Sequence, residues 1–183
     1  SADNWSTAQT GTVFGVDDTL SDDNQAFSVT LGSVTSSDVN YAGKNPDDVS
    51  VTNVDNETAS ITVSALSGNT TEMGGTATFT VVLDNQPTSD VSIAVSSSDT
   101  SEATISPSSL TFGSSNYSTL QTVTVTGVDD FYDDDNVSYT ITVDPSSSIA
   151  SYNSMTSSTV TGYNTDNDTA AITVGAKSGN TSE

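Results

Sequence analysis

The side chains in this sequence that could do chemistry are acidic, and they come in groups. VDDFYDDDN holds Asp129, Asp130, Asp133, Asp134 and Asp135, and TDND holds Asp166, Asn167 and Asp168. Glu72, Asp99 and Glu102 stand singly between strand-like segments. The groups recur. Asp17, Asp18, Asp22 and Asp23 match Asp129, Asp130, Asp134 and Asp135, with Ser21 in the place of Asp133. Asp55, Asn56 and Glu57 match Asp166, Asn167 and Asp168, and Glu72 matches Glu183. Clustered carboxylate and amide oxygens are hard ligands. Calcium takes six to eight of them in irregular geometry, whereas magnesium demands a stricter octahedron and retains water. Zinc would want His or Cys, and the sequence contains neither. Any one acidic pair reads most plainly as solvated surface; convergence and recurrence favour a bound cation.

The elements that must position these groups follow from period-two alternation. In residues 75–83 (GTATFTVVL), Ala77, Phe79 and Val81 share one face and threonines the other, and residues 121–128 and 137–143 alternate likewise. Such runs of β-branched and aromatic residues are half-buried antiparallel strands, and no segment sustains a helical period. Seven strands are expected, near 60–66, 75–83, 90–97, 103–112, 119–128, 137–143 and 157–165. That number in about 110 residues predicts an all-β, antiparallel, immunoglobulin-like β-sandwich.

The sequence also repeats itself. NWSTAQT at 4–10 answers to NYSTLQT at 116–122, and VDNETASITVSALSGNTTE at 54–72 returns as TDNDTAAITVGAKSGNTSE at 165–183. The offset is 112 residues early and 111 later. A period near 111 is a whole domain rather than a solenoid unit. We therefore expect tandem repeats: residues 1–57 as the C-terminal part of one, 58–168 as a complete one, and 169–183 as the start of the next. The 183 residues read as a window on a longer array, or as a subunit of a head-to-tail filament. With seven alternating strands the chain enters a domain at one pole and leaves at the other. The first, third, fifth and seventh strands then end at the exit pole, bringing ten carboxylates there, from Glu72, Asp99 and Glu102 to the 129–135 and 166–168 groups. Ten like charges within ~15 Å repel one another by several kcal/mol even in a screened medium. A divalent cation would remove that repulsion.

Composition narrows the partners. With 24 acidic residues against two lysines, Lys44 and Lys177, the formal net charge is -22. This field repels nucleic acid and anionic membrane. No apolar run approaches the ~18 residues of a membrane span, and no membrane insertion is expected. Cysteine is absent, so no disulfide contributes to stability. No His, Cys or serine elbow offers a nucleophile. Paired carboxylates can cleave glycosides, but here no basic or substrate-orienting residues surround them, and catalytic sites are rarely copied along an array. An enzyme is not expected.

EMGGTATFTVVL followed by VDDFYDDDNVSYTITV resembles the Calx-β domain, a calcium-binding immunoglobulin-like sandwich. In that family a Glu opens the second strand and an acidic loop joins the fifth and sixth. The resemblance spans residues 58–168 and part of 1–57. It implies calcium ligands at Glu72, Asp129, Asp130 and Asp133, with Asp99 or Glu102 contributing, although the Asp-Tyr pair usual late in the third-to-fourth-strand region is missing from SEATISPSS. TDND at 165–168 is similar to the interdomain calcium linkers of cadherin-like repeats. The Thr-, Ser-, Asn- and Asp-rich style resembles repeats of large bacterial adhesins, filaments and surface layers. The expected protein is an extracellular or cell-surface spacer whose sandwiches are stiffened by calcium at their joints, partnered by neighbouring repeats. The alternative is a calcium-dependent adhesive module, which leaves a glycan partner open.

Smaller signals complete the reading. N-x-[ST] sequons at Asn4, Asn56, Asn69, Asn116, Asn136, Asn167 and Asn180 are expected by chance in so Asn- and Ser/Thr-rich a chain, and three of them lie inside acidic clusters. Trp5 and Tyr117 occupy equivalent positions as aromatic plugs over a sandwich end. Tyr41 and Tyr152 are equivalent anchors of the loop before the last strand.

Overall fold

The computed structural model describes residues 6–180 and Glu183. Trp5 and the Asn4 sequon lie outside the described residues. The rest is nearly all β. In chain order the strands are β1 (Leu20–Ser21), β2 (Gln25–Val29), β3 (Val49–Asn53), β4 (Ile61–Val63), β5 (Thr70–Thr71), β6 (Thr76–Leu83), β7 (Gln86–Pro87), β8 (Val91–Ser97), β9 (Ala103–Ser106), β10 (Ser109–Phe112), β11 (Gln121–Gly127), β12 (Val137–Ser147) and β13 (Ser158–Thr165), with the single-turn helix α1 (Ala150–Asn153) before the last. Among the described residues no helix is long and apolar enough to cross a membrane.

Two sheets enclose the core. One runs β10-β8-β12-β13-β5, the other β4-β6-β11-β9. The alternation predicted from sequence sets which side chains face inward. Phe79, Val81, Leu83, Val123 and Val125 from the second sheet meet Val91, Ile93, Tyr139, Ile141 and Val143 from the first in one buried cluster. Each is at most 1 % exposed. Tyr117 packs against this cluster. Tyr152 is fully buried, with its hydroxyl donating to the Asn85 carbonyl at 2.9 Å. Its sequence counterpart Tyr41 is 62 % exposed and anchors nothing comparable.

One predicted strand serves both sheets and a short unpredicted one is added, so nine segments make up the two sheets where seven were expected. The segment 103–112 breaks at Pro107. Its first half, β9, pairs with β11, and its second half, β10, pairs with β8. Proline cannot donate to a ladder, and the chain crosses between sheets there. The expected strand at 60–66 ends early: β4 pairs antiparallel with β6, and the chain then crosses to the other sheet, where β5, beyond the expected bounds, pairs parallel with β13. Between them, serine hydroxyls stand in for backbone acceptors, Ser64 Oγ taking the Thr80 N–H and Ser67 Oγ the Thr78 N–H, both at 2.9 Å. Strand β12 runs on to Ser147 because β8 continues beside it.

Residues before the sandwich form a smaller ladder, β2–β3, whose Gln25↔Asn53 pairing falls at the repeat counterpart of Val137↔Asn164 in β12–β13. Its apolar residues are less covered, with Phe27 42 % and Val49 50 % exposed.

Gly127 ends β11 against the turn that follows β5. A Cβ there would collide with the Thr71 carbonyl and with Asn164 Oδ1. Backbone cannot yield as a flexible side-chain tip can, so Gly127→Ala is expected to destabilise by about 1–3 kcal/mol, the usual cost of overpacking. Urea denaturation checks it; an unchanged midpoint would refute the close packing described.

A candidate metal centre at one pole of the sandwich

Strands β8, β11 and β13 end, and β12 begins, at one pole, and the turn after β5 lies beside them. The acidic residues there form two groups. One carboxylate oxygen from each of Glu72, Asp134 and Asp166 lies within 4.8 Å of the others, and so does one from each of Glu102, Asp130 and Asp134. Asp134 belongs to both. Either group, or the two together around Asp134, could hold a metal ion.

Two of these carboxylates are buried, Glu72 at 2 % and Glu102 at 6 % exposure. A buried carboxylate needs hydrogen bonds and an opposite charge. The hydrogen bonds are few. Glu72 Oε2 accepts from the Asn167 N–H at 3.0 Å, and Glu102 Oε2 accepts a long bond of 3.4 Å from Asn164 Nδ2. Lys177 Nζ donates to Asn180 Oδ1, and the charges that act on Glu72 and Glu102 are acidic.

Local turns place the other acids. Asp166 arranges the loops: Oδ2 accepts the Asp135 N–H at 3.0 Å, Oδ1 accepts the Asp168 N–H at 2.7 Å, and its own N–H donates to Asn136 Oδ1 at 3.2 Å. Asp129 Oδ1 accepts from Asn167 Nδ2 at 3.0 Å, Asp130 Oδ1 from the Tyr132 N–H at 2.7 Å, and Asp133 Oδ2 from the Ala170 N–H at 2.7 Å. Asp168 holds one buried carboxylate oxygen, Oδ2, without a partner. Asp99 is turned away onto Ser101, whose N–H it accepts at 3.0 Å, and stands in neither group. Asp129, expected as a ligand, and Asp133, Asp135 and Asp168 stand in neither group, and Glu183 is exposed.

The electrostatics reflect crowding. The Asn167 N–H draws the Glu72 carboxyl down, yet burial and the charges of Asp166 and Asp130 outweigh it and leave the carboxyl above its ordinary value. Burial pushes Glu102 up, helped by Asp134, Asp99 and Asp130 against the Asn164 bond. Asp134 and Asp168 are raised by burial and by acidic neighbours. Asp166 is lowered, chiefly by the Asp168 N–H.

The first acidic loop is built alike. Asp55 Oδ2 accepts the N–H groups of Asp22 at 3.1 Å and Asp23 at 2.9 Å, Oδ1 accepts that of Glu57 at 2.9 Å, and the Asp55 N–H donates to Asn24 Oδ1 at 3.0 Å. Asp18 Oδ1 takes the Leu20 N–H at 2.8 Å, as Asp130 takes that of Tyr132. Asp23 and Asp135 share a left-handed backbone, with φ of 62° and 63°, a conformation Asp tolerates better than most residues. Asp17 reaches this set through its charge on Glu57, and Asn56 is exposed. Among the described residues no three carboxylates converge here as they do at 129–168. The repeat offset puts counterparts of Glu72 and Glu102 outside residues 1–57.

Sequence reading missed Asn164 and Thr70. Asn164, 1 % exposed, receives the Thr70 hydroxyl at 3.0 Å on Oδ1 and donates through Nδ2 to the Val128 carbonyl at 2.8 Å as well as to Glu102. Thr70 Oγ1 in turn lies 3.1 Å from the Tyr139 hydroxyl. A polar chain thus runs from the core to Glu102. The signal was present: Asn53 and Asn164 are repeat counterparts, each two residues before an aspartate of the linker.

No protein-family pattern and no curated protein matches this chain. Among solved structures, domains 4 and 5 of the S-layer protein SbsC align with a TM-score of 0.40 and 21 % identity, over 79 % of this chain and 77 % of that one.

The raised carboxyls predict an unusual pH response. Folded Glu72 and Glu102 titrate above their ordinary 4.5, so the folded state holds their protons more tightly than the unfolded state. Their repulsion destabilises at neutral pH and is relieved as pH falls through the raised values, fully so below 4.5. In chelator, the melting temperature is expected to rise from neutral pH to about 5. With calcium present, protons compete with the ion and the trend reverses. Scanning calorimetry in the two buffers reads it; a fall in chelator over that range contradicts the assignment.

Proposed function

We propose that this pole binds calcium and that the chain is a stretch of tandem, immunoglobulin-like sandwiches of the Calx-β kind, serving as an extracellular or cell-surface spacer. The observation behind it is the convergence of buried Glu72 and Glu102 with Asp130, Asp134 and Asp166, without a cationic side chain among them. Glu72, Asp134 and Asp166 would hold one ion; Glu102, Asp130 and Asp134 would hold another or share the same one. The partnerless Asp168 oxygen lies on the linker and is a further donor. All are hard oxygens on separate loops, the donor set that suits calcium.

Mechanistically, the ion neutralises loops that otherwise repel. Held by Asp166, Asp134 and Glu72, an ion would tie the end of β13 to the acidic loop before β12 and to the turn after β5. Since Asp166–Asp168 lead out of the sandwich, a metal there sets the direction of the following segment. Asp133 contributes already, by accepting the Ala170 N–H beyond the linker. Ion binding would then stiffen the joint between repeats. Extracellular modules of this type bind calcium at ~10⁻⁴–10⁻³ M, which suits saturation outside cells. Acids repeated from domain to domain, with no basic or nucleophilic residue among them, fit a structural role rather than catalysis.

Free calcium at one hundred times the dissociation constant adds ~2.7 kcal/mol to folding stability. For a domain of this size the melting temperature is expected to rise by ~10 °C or more over the chelated protein. An unchanged melting temperature would count against calcium. Calorimetric titration of Asp134→Asn tests the site itself. Because Asp134 serves both groups, affinity is expected to drop at least about tenfold, or ~1.4 kcal/mol, while Asp99→Asn leaves it within about twofold, ~0.4 kcal/mol.

A further inference from the structure

The loop before β2 is already docked on the sandwich that follows it. Leu20–Ser21 pairs in parallel with Gln86–Pro87, and Asp23 accepts two backbone N–H groups, Oδ2 from Ala150 at 2.7 Å and Oδ1 from Ser151 at 3.1 Å. Ser21 is fully buried in this contact, and Leu20 is half-buried. The receiving face is rigid: Tyr152, next to Ser151, is locked to the Asn85 carbonyl, and Pro87 is buried.

The loop before β12 has the same backbone. Tyr132, Asp133 and Asp135 are the counterparts of Leu20, Ser21 and Asp23. The left-handed turn, the carboxylate of Asp166 under it and the Asp130 turn before it all correspond. What differs is the covering. Tyr132 is 73 % exposed beside Phe131 at 92 %, and among the described residues the Asp135 carboxylate has no counterpart to the Ala150 and Ser151 amides. Two adjacent exposed aromatics thus stand where the first loop has the half-buried Leu20.

We infer that Tyr132–Asp135 is a docking surface for a second copy of the repeat. It would present its Gln86–Pro87 edge to Tyr132–Asp133, and its Ala150 and Ser151 amides to Asp135. The occupant must be a further copy, since this chain's own receiving face is filled by residues 20–23. Asp133 differs from Ser21 in charge, but its carboxylate is already turned onto the Ala170 N–H, leaving its backbone free to pair. The inference rests on the tandem-repeat reading and is independent of calcium.

The test extends the chain after Glu183 with a copy of residues 73–168, which continues the repeat in phase. Cysteine is absent, so engineered pairs report cleanly. Leu20→Cys with Gln86→Cys is the control, because those residues are ladder partners. Tyr132→Cys with Gln86→Cys in the appended copy is the test pair. Disulfide formation in the test pair to within about twofold of the control supports the docking. A crosslinked control with an unlinked test pair overturns it, and so does an unlinked control. Hydrogen exchange on the cysteine-free extended chain reads the same contact without substitution. Slow Ala150 and Ser151 amides in both copies support it, and protection confined to the first copy overturns it. Crosslinking with no calorimetric calcium signal would remove the metal reading alone; calcium binding without crosslinking would remove only the docking.

Discussion

Repulsion among carboxylates at one pole is the constraint around which this structure is organised. Five acidic side chains converge there in two overlapping groups, two of them buried, in a chain with two lysines. Low dielectric strengthens repulsion as much as attraction. The protein spreads the cost over backbone N–H donors. Asp166 alone takes two of them, which lowers its proton affinity while its neighbours are raised. The result is a set of preorganised oxygen donors whose unmet need is positive charge.

Fold and site are made of the same parts. Tyr139 lies in the hydrophobic core, yet its hydroxyl meets Thr70, which meets Asn164, which meets Glu102. Gly127 lets β11 approach Thr71 and Asn164 closely. Packing of the two sheets therefore holds the acidic loops at fixed separations, and loosening the core would loosen the site. The crossing from β8 to β9 brings Glu102 beside Asn164 of the opposite sheet, and the crossing before β5 brings Glu72 beside Asn167 at the end of β13.

The two acidic loops use one construction. An aspartate of the linker accepts backbone N–H groups from a loop that turns through a left-handed Asp, at Asp55 with Asp23 and at Asp166 with Asp135. The same turn that shapes the candidate metal groups also aims the next carboxylate outward. In the first loop that carboxylate holds α1 of the following sandwich by its amides. The acidic loop and the contact with the following sandwich thus share one kind of short segment.

Alternation along residues 76–83, 121–127 and 137–143 was enough to identify strands and their inward faces, because burial of one face of a pleated sheet imposes a period of two on any sequence. Recurrence of acidic groups at an offset of 112 and then 111 residues singled out the acidic loops, of which the structure brings Asp130, Asp134 and Asp166 together with Glu72 and Glu102. Pro107 marked a break within 103–112, but sequence could not reveal that its halves join different sheets, because only pairing partners distinguish them. Nor could it separate Asp134, shared by two groups, from Asp99, spent on Ser101, since both are acids in loops of similar composition. Asp134's role depends on which carboxylates meet across the fold, as Glu72 meets Asp134 and Asp166 while taking the Asn167 N–H. Only the packed sheets decide that, for they alone fix the distances between loops that are remote in sequence.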